Sequence, residues 1–143
     1  MPKLYLLHPA VVHFPLALLL TGLGAALAER WSAERSWLAD AASWLLWLGT
    51  ASAWAAVALG LLAIRTAPHV PPAWETVADH RALGFWTAGL FTALSAWRLR
   101  FRGRWPSAFL LFWLLGTAAL VATAQKGGEL VFTYNMGTAG SEP

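Results

Sequence analysis

Histidine is the residue type here best suited to chemistry, and the chain has 4: His8, His13, His69 and His80. His8 and His13 stand in the run His8-Pro9-Ala10-Val11-Val12-His13-Phe14-Pro15. On a helix, five residues are about 7.5 Å of rise and about 140° of rotation, so the two do not share a face. Around His13, the residues Ala17, Leu20 and Gly24 fall within about 40° of one line. That small-residue face is read as the inward one, with His13 in the interior and His8 at its mouth. Further on, His80 shares a helical face with Gly84, Thr87 and Phe91, with Ser95 slightly off it. A helix starting near Pro72 carries His80 about 12 Å inward, close to the expected depth of His13.

An ionisable side chain within a membrane span is a functional-site hypothesis by default. Two inward imidazoles on different helices suit the two axial positions of a haem b iron. Gly84 and Ala17, each four residues after its histidine, leave room for the porphyrin edge. Both imidazoles must be neutral to ligate, which apolar surroundings favour. The expected cofactor-binding set is therefore His13 and His80 as iron ligands, with His8, Gly84 and Ala17 around them. Two other uses stay open. The histidines can simply hydrogen-bond to neighbouring helices. They can also hold a bare transition metal, with His8 and His69 as further ligands and Glu75 or Asp79 adding an oxygen. The chain has no Cys, and its only methionines are Met1 and Met136, which argues against a soft Cu(I) carrier. His69, between Pro68 and Pro71-Pro72, reads as a solvated loop residue. Glu75 and Asp79, spaced i, i+4, read as a solvated helix face. No hydrolase, P-loop or dinucleotide motif is present.

The elements that position these residues follow from composition. Hydrophobic residues make up 58% of the 143 and charged residues only 12%, against about 45–50% and 25% in a soluble domain. Disorder, a disulfide-stapled module and a zinc finger are excluded. Four stretches carry no Lys, Arg, Asp or Glu: 4–28, 41–64, 82–97 and 105–125. About 20 apolar residues cross the hydrocarbon core, and three stretches suffice alone. The third is short and needs an upstream start near Pro71-Pro72, with Arg81 and Arg98 snorkelling to the two interfaces. The expected fold is an all-α, integral membrane four-helix bundle in a single domain, 1–143, with spans at about 9–28, 37–64, 72–98 and 106–125. Ala26-Leu27-Ala28 imitates a signal-peptide cleavage site. The run before it is longer than a normal signal core and holds two His and two Pro, so it is read as a span.

Orientation comes from the basic residues. Arg30 and Arg35 belong to the first loop, and Arg98, Arg100, Arg102 and Arg104 to the third. These loops are placed in the cytoplasm, with both termini outside. All four histidines then lie in the outer half. Trp31, Trp37, Trp97 and Trp105 are assigned to the inner interfacial belt and Trp74 to the outer. In the second helix Ala42, Gly49, Ala53, Ala56 and Gly60 align as a bundle-facing seam. Trp37, Trp44, Trp47 and Trp54 lie opposite, towards lipid. In the fourth helix Gly116 and Thr123 align. After Lys126-Gly127-Gly128 the segment Glu129 to Tyr134 reads as a short extended piece on the outer face. Gly137 to Pro143 reads as a frayed tail. No internal repeat is visible.

The stretch His8 to Pro15, HPAVVHFP, resembles the opening HPxxVHFP pattern of a bacterial membrane family, Domain of Unknown Function 2231. The resemblance extends to four spans, a late glycine in the second (Gly60), a His opening the third (His80), and a closing GGELVF segment from Gly127 to Phe132. It implies a relation to four-helix b-type cytochromes. His8, His13 and His80 match the pattern. The acidic residue expected after the late glycine is replaced by Leu61-Leu62-Ala63, and Tyr134 stands near where the family has a closing His.

The resulting expectation is a multi-pass protein of the bacterial inner membrane that binds haem b and transfers electrons at the outer side. It would be an electron-transfer or accessory subunit rather than a stand-alone enzyme. Its expected partners are membrane lipid and a quinone or redox partner protein, with no nucleic acid, and further subunits of a homo-oligomer or a complex stay open. The runner-up is a non-catalytic membrane subunit or scaffold. The third reading is a metal-binding protein of the outer leaflet.

Overall fold

The structure is a computed structural model that describes residues 4–31, 36–68, 70–101 and 105–136. His69 and the tail from Gly137 lie outside the described residues, and so do the expectations placed on them. The described residues form helices and no strand. A 3-10 turn (Leu4–Leu6) leads into α1 (Leu7–Val11), followed by α2 (His13–Trp31) and α3 (Ser36–Thr66). A second 3-10 turn (Pro71–Ala73) leads into α4 (Trp74–Arg100), and α5 (Ser107–Phe132) closes the order. α2 packs along α3, α3 on α4, α4 on α5, and α5 back on α2, which closes a four-helix bundle.

Three segments are long and apolar enough to cross a membrane by length and composition: Leu4–Trp31, Trp37–Thr66 and Ser107–Phe132. α4 has 27 residues, about 40 Å at 1.5 Å per residue. It is as long as the others, but Glu75, Asp79, Arg81, Arg98 and Arg100 crowd its two ends. The expected third span is thus a full-length bundle helix with weaker hydropathy than its neighbours. Its start after Pro71-Pro72 is as expected, because proline fits a first helical turn.

Close approach sets the α2–α3 packing. A Cβ on Gly49 would lie 2.6 Å from Cδ2 and Cγ of the fully buried Leu19. A Cβ on Gly22 would meet Cζ2 of Trp113 at 2.9 Å and Cβ of Leu45 at 3.0 Å. Trp113 fills the centre of the bundle and donates its Nε1–H to the carbonyl of Leu19 at 3.2 Å. The seam on α3 is as read from sequence: Ala42, Gly49, Ala53 and Ala56 are buried. Trp37, Trp44 and Trp54 are exposed opposite it, and Trp47 is half-buried.

Three expectations are corrected. First, α2 faces the other way round. His13, Ala17, Leu20 and Gly24 are exposed, and a Cβ on Gly24 would meet nothing within 4 Å. The buried residues are Pro15, Leu19, Gly22, Leu23 and Ala26, a stripe that continues back at helical spacing to His8. The small residues Ala17 and Gly24 misled the assignment, since packing needs a small residue only where a bulky one arrives from a neighbour. Second, the GGELVF segment is helical, not extended, because α5 runs unbroken to Phe132. Two glycines cost about 1 kcal/mol each within a helix. Here tertiary docking of His80 on Gly127 and the Lys126–Glu129 ion pair at 3.2 Å hold the helix. The chain turns later, at Asn135 with φ 53°, where the Met136 N–H bonds to the Leu130 carbonyl at 2.9 Å. Third, Trp105 is not an interfacial belt residue. It is 2% exposed and packs on Phe109 and Trp113 in the core.

Candidate functional site

His8 lies in α1, one turn before the break at Val12. Pro15 has no N–H to give the Val11 carbonyl, which loosens the helix at this junction. His8 faces α3. Its Nδ1 lies 2.8 Å from the carbonyl oxygen of Ala56. The ring rests on Gly60, where an added Cβ would stand 3.1 Å from Cε1 and 3.2 Å from Nδ1. The absence of that Cβ is what lets the imidazole reach a backbone carbonyl one turn earlier on the same helix.

His80 is held in the same way by the other half of the bundle. Its Nδ1 lies 2.9 Å from the carbonyl oxygen of Thr123, and its Cε1 would lie 3.1 Å from a Cβ on Gly127. Ala56 to Gly60 and Thr123 to Gly127 are both i, i+4 pairs. Each hairpin, α1–α3 and α4–α5, therefore presents a histidine from its first helix to a small-x-x-x-Gly seat on its second. The sequence carries no visible repeat, yet the structure uses one device twice.

The two rings meet between the hairpins, with centroids 5.8 Å apart and planes at 81°. A carbonyl oxygen can only accept, so each Nδ1 must carry the proton. In the neutral ring this selects the Nδ1–H tautomer, with the lone pair on Nε2. Such orientation of a ligating His by a carbonyl on its other nitrogen is a general feature of metal sites. Thr123, whose carbonyl meets His80, also shares a hydroxyl contact with Thr87 at 3.2 Å. Gly84 leaves space, since a Cβ there would meet only methyl groups, of Val57 at 3.9 Å and Thr123 at 4.0 Å.

Of the residues singled out from sequence, the structure thus brings together His8 and His80, while Gly84 faces Val57 and Thr123. It does not bring in His13 or Ala17, which face outward on α2. The sequence geometry was right that His8 and His13 point apart; which of them points inward is reversed. Gly60 and Gly127 were legible only as a packing seam and a helix stop, and their role as ring seats was missed. The signal for it was the paired small-x-x-x-Gly spacing after each histidine helix. Glu75 and Asp79 are exposed, and Asp79 reaches Lys126 at 3.8 Å. No group of three His, Cys, Asp or Glu that could hold a metal ion occurs among the described residues.

Fold and site together define a helical-bundle membrane protein with a paired-histidine centre near one end. Residues 6–140 match the family model described as "Predicted membrane protein (DUF2231)", and the chain belongs to that family. No curated protein and no solved structure matches it.

Proposed function

We propose that the chain is a haem b-binding membrane protein that transfers electrons near one face of the bilayer, with His8 and His80 as the iron ligands. One observation supports this reading: two imidazoles from separate helix pairs have Nδ1 on carbonyls, which in the neutral rings leaves two Nε2 lone pairs available to a ligand. The cradles formed by Gly60 and Gly127 fit a ligand pair, because they fix ring position without using Nε2. Bound haem b supplies one-electron transfer. The protein's own part is to hold both rings neutral and oriented, and to exclude water with the packed faces of α3, α4 and α5. The ligand pair is reassigned from His13 and His80, because His13 lies on the outside of α2.

His8, His13 and His80 all lie in the half of the bundle away from the Arg98–Arg100 end. An electron arriving at this site therefore needs a quinone or a partner protein to continue. In this reading the positive-inside tendency supports a cytoplasmic far end and a site at the outer face of a bacterial inner membrane.

The test is an absorption spectrum of the purified protein, oxidised and then reduced with dithionite. A Soret band with sharp reduced bands is expected. His8→Ala and His80→Ala should each abolish the bis-histidine spectrum, and His13→Ala should leave it intact. A colourless protein after haem-supplemented expression sinks the proposal.

A second reading is favoured by the same bonds. The contacts from His8 to Ala56 and from His80 to Thr123 each tie two helices together, and a non-catalytic membrane subunit or scaffold needs no more from them. That reading predicts a colourless protein in which His8→Ala and His80→Ala lower the unfolding temperature, and which co-purifies with a larger complex.

A further inference from the structure

The two helix pairs, α1 and α2 with α3 and then α4 with α5, correspond beyond their histidines. The interval that carries His8 to His80 also carries Pro15 to Thr87, Leu19 to Phe91 and Gly22 to Leu94, and all of these core positions are buried. The interval that carries Gly60 to Gly127 likewise carries Leu46 to Trp113, Gly49 to Gly116 and Ala53 to Leu120, again all buried. The contacts repeat with the positions. A Cβ on Gly49 would lie 2.6 Å from Leu19, and one on Gly116 would lie 3.0 Å from Cζ of Phe91. Exposure repeats as well: Ala17 corresponds to Gly89 and Gly24 to Ala96, and all of them face outward. Most pairs differ in residue type, so the correspondence lies in burial and contact and not in sequence.

The correspondence also accounts for a stranded hydroxyl. Thr50 and Thr117 occupy equivalent positions and both are buried. Across to α4, Thr50 Oγ1 donates to the Phe91 carbonyl at 3.3 Å and meets Ser95 Oγ at 2.9 Å. The counterparts of these partners on α2 are the Leu19 carbonyl and Leu23. The Leu19 carbonyl receives the Trp113 Nε1–H, and Leu23 has no hydroxyl to offer. Thr117 Oγ1 is buried without a hydrogen-bond partner among the described residues.

We infer that the chain is a duplicated helical hairpin whose two-fold axis runs along the bundle through the histidine centre. α2 and α4 both run away from that centre, and α3 and α5 both run towards it. A half turn about the bundle axis therefore carries one helix pair onto the other, the relation of parallel repeats in membrane proteins. His8 and His80 are then equivalent donors to one shared atom on the axis. A ligand centred on one atom and open on two opposite sides fits such a pair, and a ligand with a single polar end does not. In taking that atom as haem iron the inference rests on the proposed function; the duplication stands apart from it.

The test uses the full-length protein and asks Leu23 and Thr117 to do what Ser95 and Thr50 do. Leu23→Ser should unfold at a higher temperature in detergent than Leu23→Ala, because the new hydroxyl meets Thr117. Adding Thr117→Val should cancel that gain. The chain has no Cys, so a single nitroxide can be attached at any introduced one. In liposomes, labels at Ala17→Cys and Gly89→Cys should report one depth, and labels at Gly24→Cys and Ala96→Cys another, about 10 Å further on. With haem b bound, His8→Ala and His80→Ala should take up imidazole with like affinity. Should neither Leu23 variant fold, the labels decide. A Leu23→Ser protein no more stable than Leu23→Ala, partners in a labelled pair as far apart in depth as the two pairs are from each other, or imidazole affinities about tenfold apart would overturn the inference. A colourless parent sinks the haem reading alone, and the stability and depth measurements then decide the duplication.

Discussion

At the scale of single residues, the site depends on two hydrogens standing where methyl groups would. Gly60→Ala would set a Cβ 3.1 Å from His8 Cε1, and Gly127→Ala would set one 3.1 Å from His80 Cε1. Each ring would have to withdraw by a few tenths of an ångström, at the expense of its carbonyl bond. A net bond of this kind contributes about 0.5–1.5 kcal/mol, and alanine returns about 1 kcal/mol of helix propensity. Global stability should therefore change little, while ligand orientation suffers. On the proposed haem reading, either variant should shift or weaken the reduced haem bands with an unfolding temperature close to that of the parent. Gly24→Ala, whose Cβ meets nothing, should leave the spectrum unchanged. The two seats are alike in spacing and contact, so the two variants should act to a similar degree. A strong asymmetry in the spectra would show that only one histidine serves as a fixed ligand.

At the scale of elements, the α2–α3 contact is the most demanding. Gly49→Ala drives a Cβ to 2.6 Å from two atoms of Leu19, a side chain with no exposed surface. Overpacking of this kind costs about 1–3 kcal/mol. A clear fall in unfolding temperature is expected in detergent. Leu19→Ala in the same chain should recover part of the loss by making room, although Leu19→Ala alone destabilises. The same contact explains how much was legible from sequence. Charge-free stretches marked the helices well, because ionised side chains cannot stay in hydrocarbon. The seam on α3 was legible too, since its small residues align and its tryptophans lie opposite. The face of α2 was not. It has small residues on two sides, and only the arrival of Trp113 at Gly22 and Leu19 at Gly49 decides between them. The end of α5 was hidden for a related reason. Gly127-Gly128 stops a helix left to local propensity, but here His80 from α4 occupies the space that Gly127 leaves. Trp105 looked interfacial by its neighbours in sequence, while its burial depends on Phe109 and Trp113 one and two turns along.

At the scale of the whole molecule, the charge distribution gives an expected orientation in the membrane. The helices run alternately, so the histidine end and the arginine end face opposite sides. Cytoplasmic loops carry the excess of Lys and Arg, and all of the net +3 lies at the arginine end. The histidine end is balanced, with Lys126 drawn to Glu129 at 3.2 Å and Asp79 at 3.8 Å. The expected orientation therefore puts the arginine end inside and the C-terminus outside. A C-terminal alkaline phosphatase fusion in whole bacteria should be active, and a C-terminal green fluorescent protein fusion should be dark. Replacing Arg98, Arg100, Arg102 and Arg104 together by Gln removes the excess without touching the histidine end. That variant should give a mixed population, with phosphatase activity lowered and fluorescence gained. Bright fluorescence from the unaltered chain would invert the assignment, and would move the paired histidines to the cytoplasmic side along with any redox partner that meets them there.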